Sequence, residues 1–198
     1  MSHKKVAKAY FMFLEQLCMQ HTALIASVCW QTFFQLLSSL EMGLTCAGLG
    51  GPGLTGADVS LSSQCAAAVD SLAAYAYKYK DLTNDTPPAA RNLHKHLSDN
   101  PDLFPGILKS LFQVILFEDC ANQWSLSRPM LSLILLIEHR FVELQQQLAT
   151  DLPPESQQRL ATCFQKLMAD VTRSLDSKNR DKFTQNLTIF RHDYRAAR

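Results

Sequence analysis

The sequence has 198 residues, 47% of them apolar and 19% charged, which is enough apolar chain for a sizeable core and argues for one folded domain or a few stacked repeats. Nineteen Lys and Arg residues stand against eighteen Asp and Glu, and the resulting net charge of +1 exerts no overall pull toward nucleic acid or acidic lipid. The balance is uneven, because Arg173 to Arg198 holds seven basic and three acidic residues and so forms a basic tail on a slightly acidic body.

Apolar residues recur at helical spacing almost throughout, with no run of alternating strand pattern. Val6, Tyr10, Phe13, Leu14 and Leu17 form a first stripe. After a polar break at Gln20-His21-Thr22, Val28, Phe33, Leu36, Leu37, Leu40 and Leu44 form a second, and together they read as a helical hairpin. Six of the seven glycines then fall between Gly43 and Gly56, so a flexible loop is expected over 43–58. A third helix is expected over Val59 to Lys80, with Leu61, Cys65, Ala68, Val69, Leu72 and Ala76 on one face. Pro87-Pro88 starts a short helix carrying Leu93 and Leu97.

Asn100-Pro101 opens the next helix, Leu103 to Phe117, whose apolar residues lie on more than one face, as an inner helix requires. One long helix is expected from Leu126 to Leu148. Its apolar run, Met130 to Ile137, is far short of the roughly 20 residues that span a bilayer and reads as a buried segment. Pro153-Pro154 opens a helix with the stripe Leu160, Phe164, Leu167, Met168, Val171 and Leu175. A last, basic helix is expected over 179–196, with Phe183, Leu187, Phe190 and Tyr194 on its seam.

Candidate chemistry is sparse. The six cysteines are scattered, so no metal chelate or disulfide framework is written, and they read as reduced core thiols. The N-terminus lacks the continuous apolar stretch of a secretory signal, which points to a cytosolic or nuclear setting. Gly48-Leu-Gly50-Gly-Pro-Gly53 matches the spacing of a dinucleotide fingerprint but follows a helix instead of a strand, and Pro52 lacks a backbone donor. His94 and His96 are two apart, which turns their rings to opposite sides of a helix, and both are expected at the surface. Cys120, beside Glu118 and Asp119, and His139 have no feature that would activate a thiol, and Cys120 reads as a small buried residue. No catalytic residue, cofactor or metal is expected. Arg180, Lys182, Arg191 and Arg195 on the basic helix are the candidates for contact with a partner protein. No aromatic platform accompanies them to stack bases, so nucleic acid is not expected.

The expected fold is all-α: a right-handed stack of antiparallel HEAT-like helix pairs over residues 1–198, about three pairs plus a C-terminal helix. Ile115-Leu-Phe-Glu-Asp-Cys120-Ala-Asn-Gln-Trp124-Ser-Leu-Ser-Arg128-Pro129, continuing to Leu136, and Lys178-Asn-Arg-Asp-Lys-Phe183 through Arg191 closely resemble the C-terminal region of the exportin-7 and Ran-binding protein 17 family of karyopherins. A looser likeness covers most of the chain. The resemblance implies the last repeats of a HEAT superhelix that shuttles between nucleus and cytoplasm and carries protein cargo past nucleoporins under control of Ran-GTP. It also implies that the principal Ran-binding region lies in an N-terminal part of the family outside this chain. Asn122, Gln123, Trp124, Arg128 and Pro129 are expected to fix a turn between repeats, with Pro129 in the first turn of its helix. An apolar face is expected to lie open where earlier repeats would stack. The alternative is a self-standing helical adaptor for unrelated partners.

Overall fold

The structure is a computed structural model that describes residues 2–45, 57–117, 121–150 and 153–197. Among them every regular element is an α-helix. Helices α1 (Ser2–Gln20), α4 (Ala57–Lys78) and α7 (Gln123–Leu136) lie side by side in one layer. Behind them pack α3 (Trp30–Thr45) and α6 (Leu103–Phe117), with α2 (Thr22–Ser27) and α5 (Pro88–Asp99) turning the two corners and resting on each other. Helix α8 (Glu138–Ala149) lies beside α6, and α9 (Pro154–Leu167) pairs with α10 (Ser177–Ala197), which is laid against α7. This is the expected all-α, HEAT-like stack of helix pairs.

Residue pairing gives the directions. Asn122 Nδ2 donates to Ser63 Oγ at 3.0 Å and Ser132 Oγ to Asp70 Oδ1, so α4 and α7 run the same way. Gln123 meets Thr188 at 2.9 Å whereas Arg128 meets Asp181 at 3.0 Å, so α10 runs against α7.

Helix α4 lies at the centre because its buried face is built of small residues. Cys65, Ala66, Ala68, Val69, Leu72, Ala73 and Ala76 are all buried, and short side chains allow α1, α3 and α7 to approach closely on three sides. Helix α6 is apolar on several faces, as read from its sequence, and its Phe112 ring lies 5.9–6.0 Å from those of Phe141, Phe164 and Phe190. One aromatic cluster thereby joins α6, α8, α9 and α10, in edge-on and stacked contacts that add to simple burial.

Four expectations are corrected. The long helix over 126–148 is two helices: Ile137, at φ −120° and ψ 41°, ends α7 and starts α8. The break brings Phe141 onto Phe112 and pairs Arg140 with Asp102, tertiary contacts that outweigh helix propensity. Helix α9 stops at Leu167, so Met168, Val171 and Leu175 pack on the core from a loop. Two asparagines of α10 hold that loop. Asn186 Nδ2 donates to the Leu167 and Ala169 carbonyls at 3.1 and 2.8 Å, and Asn179 bonds both backbone groups of Thr172. The second helix of the first hairpin is preceded by a separate turn, α2. Finally, Gly43 belongs to α3 and is buried, while residues 46–56 lie outside the described residues.

Gly43 sits where α1, α3 and α4 converge. A Cβ built there would collide with Cys65 Sγ and lie 3.0 Å from the Phe11 ring and 3.1 Å from Leu61. Replacing an interior helical Gly by Ala ordinarily gains about 0.5–1 kcal/mol. Overpacking should reverse the sign here, and Gly43→Ala is expected to destabilise by about 1–3 kcal/mol in urea unfolding. Adding Cys65→Ala should restore at least part of that loss, because it removes the colliding sulfur.

Candidate partner-binding surfaces

Helix α10 holds the four basic residues singled out in the sequence, and the structure gives them different tasks. Its entry is fixed by Asp176, whose Oδ1 accepts from the Asn179 N–H at 2.8 Å while Oδ2 accepts from Ser174 Oγ at 2.6 Å. The Ser174 hydroxyl and then the Asn179 N–H hold the Asp176 carboxyl below the usual aspartate range. One turn on, Arg180 points inward. Its Nη1 lies 2.9 Å from Asp70 Oδ1, its Nε donates to the Leu175 carbonyl at 2.9 Å, and its Nη2 reaches Ser132 Oγ at 3.3 Å. With its side chain only 12% exposed, Arg180 is a buckle joining α10 to α4 and α7, not an outward charge, and the surface expectation for it is revised.

Arg195 Nε donates to the Leu116 carbonyl at 3.0 Å and so ties the end of α10 to α6. Arg191 is partly buried, and Lys182 lies 3.6 Å from Asp170 across the α9 to α10 loop with its side chain 39% exposed. The basic character of this helix therefore goes largely into holding it in place. Its periodicity was legible in the sequence, but the inward turn of Arg180 was not, because the partner Asp70 is 110 residues away.

The residues that carried the family resemblance do join repeats. Asn122 caps across to Ser63 and the Val59 carbonyl of α4, Gln123 and Ser127 bond Thr188 and Thr184 of α10, and Arg128 pairs with Asp181. Trp124 is exposed, and the Arg128 guanidinium lies 4.0 Å from its ring centroid, a cation–π contact. Pro129 is buried inside α7 instead of in its first turn. The neighbouring Arg128 carbonyl receives a hydrogen bond from Arg180 Nη1 at 3.3 Å, so a side chain supports the backbone around the proline.

The histidine pair divides as its spacing requires, but His96 is buried, which corrects the surface expectation. Its ring stacks on Phe33 at 5.2 Å, and its Nε2 lies 3.0 Å from the Val28 carbonyl. Asn92 Nδ2 donates to the Ala26 carbonyl at 2.8 Å beside it, so α5 satisfies the free end of α2. His94 instead turns to the Ala76 carbonyl near the end of α4, at 3.1 Å.

Among the described thiols, burial pushes Cys18 up to about 12, whereas a hydrogen bond with the Thr32 hydroxyl lowers that of exposed Cys29. Cys120, Glu118, Asp119 and the glycine-rich spacing at 48–53 lie outside the described residues. No group of three or more His, Cys, Asp or Glu among the described residues is placed to share a metal ion, and no helix there is long and apolar enough to cross a membrane.

Among the described residues, α1 leaves several large apolar side chains open. Val6, Tyr10 and Phe13 are 64%, 42% and 60% exposed and share one face, while Leu14 and Cys18 on the flank beside it enter the core. The stripe read from the sequence as one thus divides into a covered side and an open side. Leu24 of α2 and Phe34 and Met42 of α3 are also exposed at this end of the stack.

These features define a helical-repeat scaffold with an open apolar flank. No protein-family model and no solved structure matches the chain. Curated relatives do match: Ran-binding protein 17 of Mus musculus is 36% identical over 200 residues, covering 98% of the chain and 18% of that protein. Exportin-7-B of Xenopus laevis is 33% identical over 198 residues, covering 98% of the chain and 17% of its own length, and Ran-binding protein 16 of Drosophila melanogaster is 33% identical over 200 residues, covering 96% and 17%. Over nearly its whole length the chain is similar to one region of exportin-7 and Ran-binding protein 17, and it spans less than a fifth of the length of these relatives.

Because Arg180 and Asp70 are largely withdrawn from water, removing either partner strands the other's charge. Arg180→Ala or Asp70→Ala is expected to destabilise the fold by about 3 kcal/mol in chemical unfolding. A truncation of Lys182, which is only partly buried, should change stability by less than about 0.5 kcal/mol.

Proposed function

We propose that this chain serves within a nuclear transport receptor that carries protein cargo between nucleus and cytoplasm under control of Ran-GTP, meeting nucleoporins on the way. The observation that carries the reading is identity of 33–36% over 98% of the chain to proteins named exportin-7 and Ran-binding protein 17. The architecture supports it, because stacked helices offer a broad wall for gripping a folded protein and need no reacting group to do so. The reading is of a binding protein, not an enzyme. Contact with Ran is assigned to repeats of the longer protein outside these residues, and contact with cargo to the surface of the stack.

The open face of α1 takes a further helical repeat in this reading. Its spacing suits it to pack on a second amphipathic helix, and exposed apolar area of this kind favours association. The 198-residue chain alone should therefore self-associate in sedimentation velocity, and joint Val6→Glu and Phe13→Glu replacement should shift it toward monomer while leaving its circular dichroism unchanged. A wild-type chain that stays monomeric at high concentration would remove the stacking role.

Transport itself is tested on the whole protein encoded by the transcript. Immobilised Ran is loaded with GTP or GDP, and selective retention on the GTP form is expected. Equal retention on both forms, no retention, or a transcript without additional helical repeats would favour a self-standing adaptor.

A further inference from the structure

The corner where the end of α4 meets α5, α6, α7 and α8 holds a groove of about 330 Å³ that neither the helix packing nor the transport reading accounts for. Its floor is apolar: Leu97 of α5, Phe104 of α6, and Leu136 and Ile137 at the break between α7 and α8. Those residues form a rigid base, since Phe104 is fully packed and Pro101 and Pro105 stiffen the entry to α6.

The side chains with ionisable groups at the rim are all basic. Lys80, His94, His139 and Arg140 line the groove, and no Asp or Glu does. Carboxylates do stand nearby: Asp102 and Glu143 bind Arg140, the latter at 2.9 Å, and Glu138 binds Arg173 at 2.7 Å. These offset much of the Arg140 charge but leave Lys80 and His139 without a carboxylate partner among the described residues. Lys80 is also positioned. Its Nζ lies 4.7 Å from the Tyr77 ring centroid, and Tyr77 is itself anchored by its hydroxyl, which donates to the Arg173 carbonyl at 2.8 Å. Arg140 Nε is buried and has no acceptor among the described residues, which leaves a donor unsatisfied in a residue of the groove wall.

We propose that this groove docks a short peptide segment of a partner protein, one apolar side chain of which covers the Leu97 and Phe104 floor while flanking carboxylates meet Lys80, His139 and Arg140. The two halves have separate effects. A pocket of this size, apolar below and basic above, gains affinity from burying the side chain and gains orientation from the charges. The proposal does not depend on the transport reading, because peptide selection by the purified chain requires neither Ran nor the longer protein.

The test begins with an array of decapeptides, each with one central Leu, Phe or Met flanked by acidic, amide or basic residues, probed with the purified full chain. Acid-flanked peptides should be retained preferentially. The best of them, labelled with fluorescein, is then titrated by anisotropy. Lys80→Glu and His139→Glu, both at exposed positions, should each weaken binding at least tenfold with unchanged circular dichroism. The same loss should follow when the peptide's acids become lysines or its central residue becomes serine. Retention without preference for acidic flanks, or variants that bind as tightly as the wild type, would overturn the assignment. So would efficient competition by single-stranded RNA, or concealment of the groove by self-association that Lys80→Glu abolishes.

Discussion

Close approach to α4 is the constraint from which the arrangement of the molecule follows. Four alanines and a cysteine on its buried surface leave room for α1, α3 and α7 to pack against one rod, and the bulk needed to fill the core comes from the neighbours. Gly43 extends the same logic, since α3 crosses α4 where Cys65 leaves no space for even one methyl group. A larger side chain on any of these positions would separate helices that belong to different repeats, so the effect would pass along both layers.

Polar side chains then secure the ends of several helices. Stacked repeats place helix ends close to other helices, where unpaired carbonyls are costly. Asn92 and His96 satisfy the end of α2, Asn186 satisfies the end of α9, and Arg195 reaches the Leu116 carbonyl near the end of α6. These groups come from a different helix in every case. The Asp70, Ser132 and Arg180 network does the same in mid-layer, connecting α4, α7 and α10 through one partly buried cation. Apolar packing alone would tolerate a slip of one helix along another, whereas a buried pair with fixed partners does not.

This division explains what could be read from the sequence. Helix identity, the inner position of α6, and the buried seam of Phe183, Leu187, Phe190 and Tyr194 all follow from periodicity, a local property. Breaks set by distant partners were not legible. Nothing between Met130 and Leu148 announces the stop at Ile137, which depends on Phe112 and Asp102 lying where α8 must go. The loop from Met168 to Asp176 keeps an apolar spacing that imitates a helix, and only the asparagines of α10 reveal why it is not one. The basic residues of α10 were visible as a cluster, but a count of charges does not distinguish an outward cation from one paired with Asp70. The groove at the α7 to α8 break was hidden for the same reason, since its basic rim is assembled from residues 80, 94, 139 and 140 and exists only once the chain has turned.

The two ends of the stack also differ in chemistry. At one end α10 reverses direction against α7 and turns Lys178, Asp181, Gln185, Thr188 and His192 outward, with Ile189 its one large exposed aliphatic residue among those described. At the other end, Val6, Tyr10, Met12, Phe13 and Met19 of α1 stand in the open, followed by Leu24, Phe34 and Met42. A repeat array is soluble only where its terminal unit turns a polar face outward, and a unit that lacks one is suited to receive a neighbour. Helix α10 meets the first condition because its cations are held down by Asp70, Asp170 and the Leu116 carbonyl while its polar remainder faces water. Helix α1 meets the second. The difference gives the stack a direction: growth by further helices is favoured on the α1 side and opposed on the α10 side.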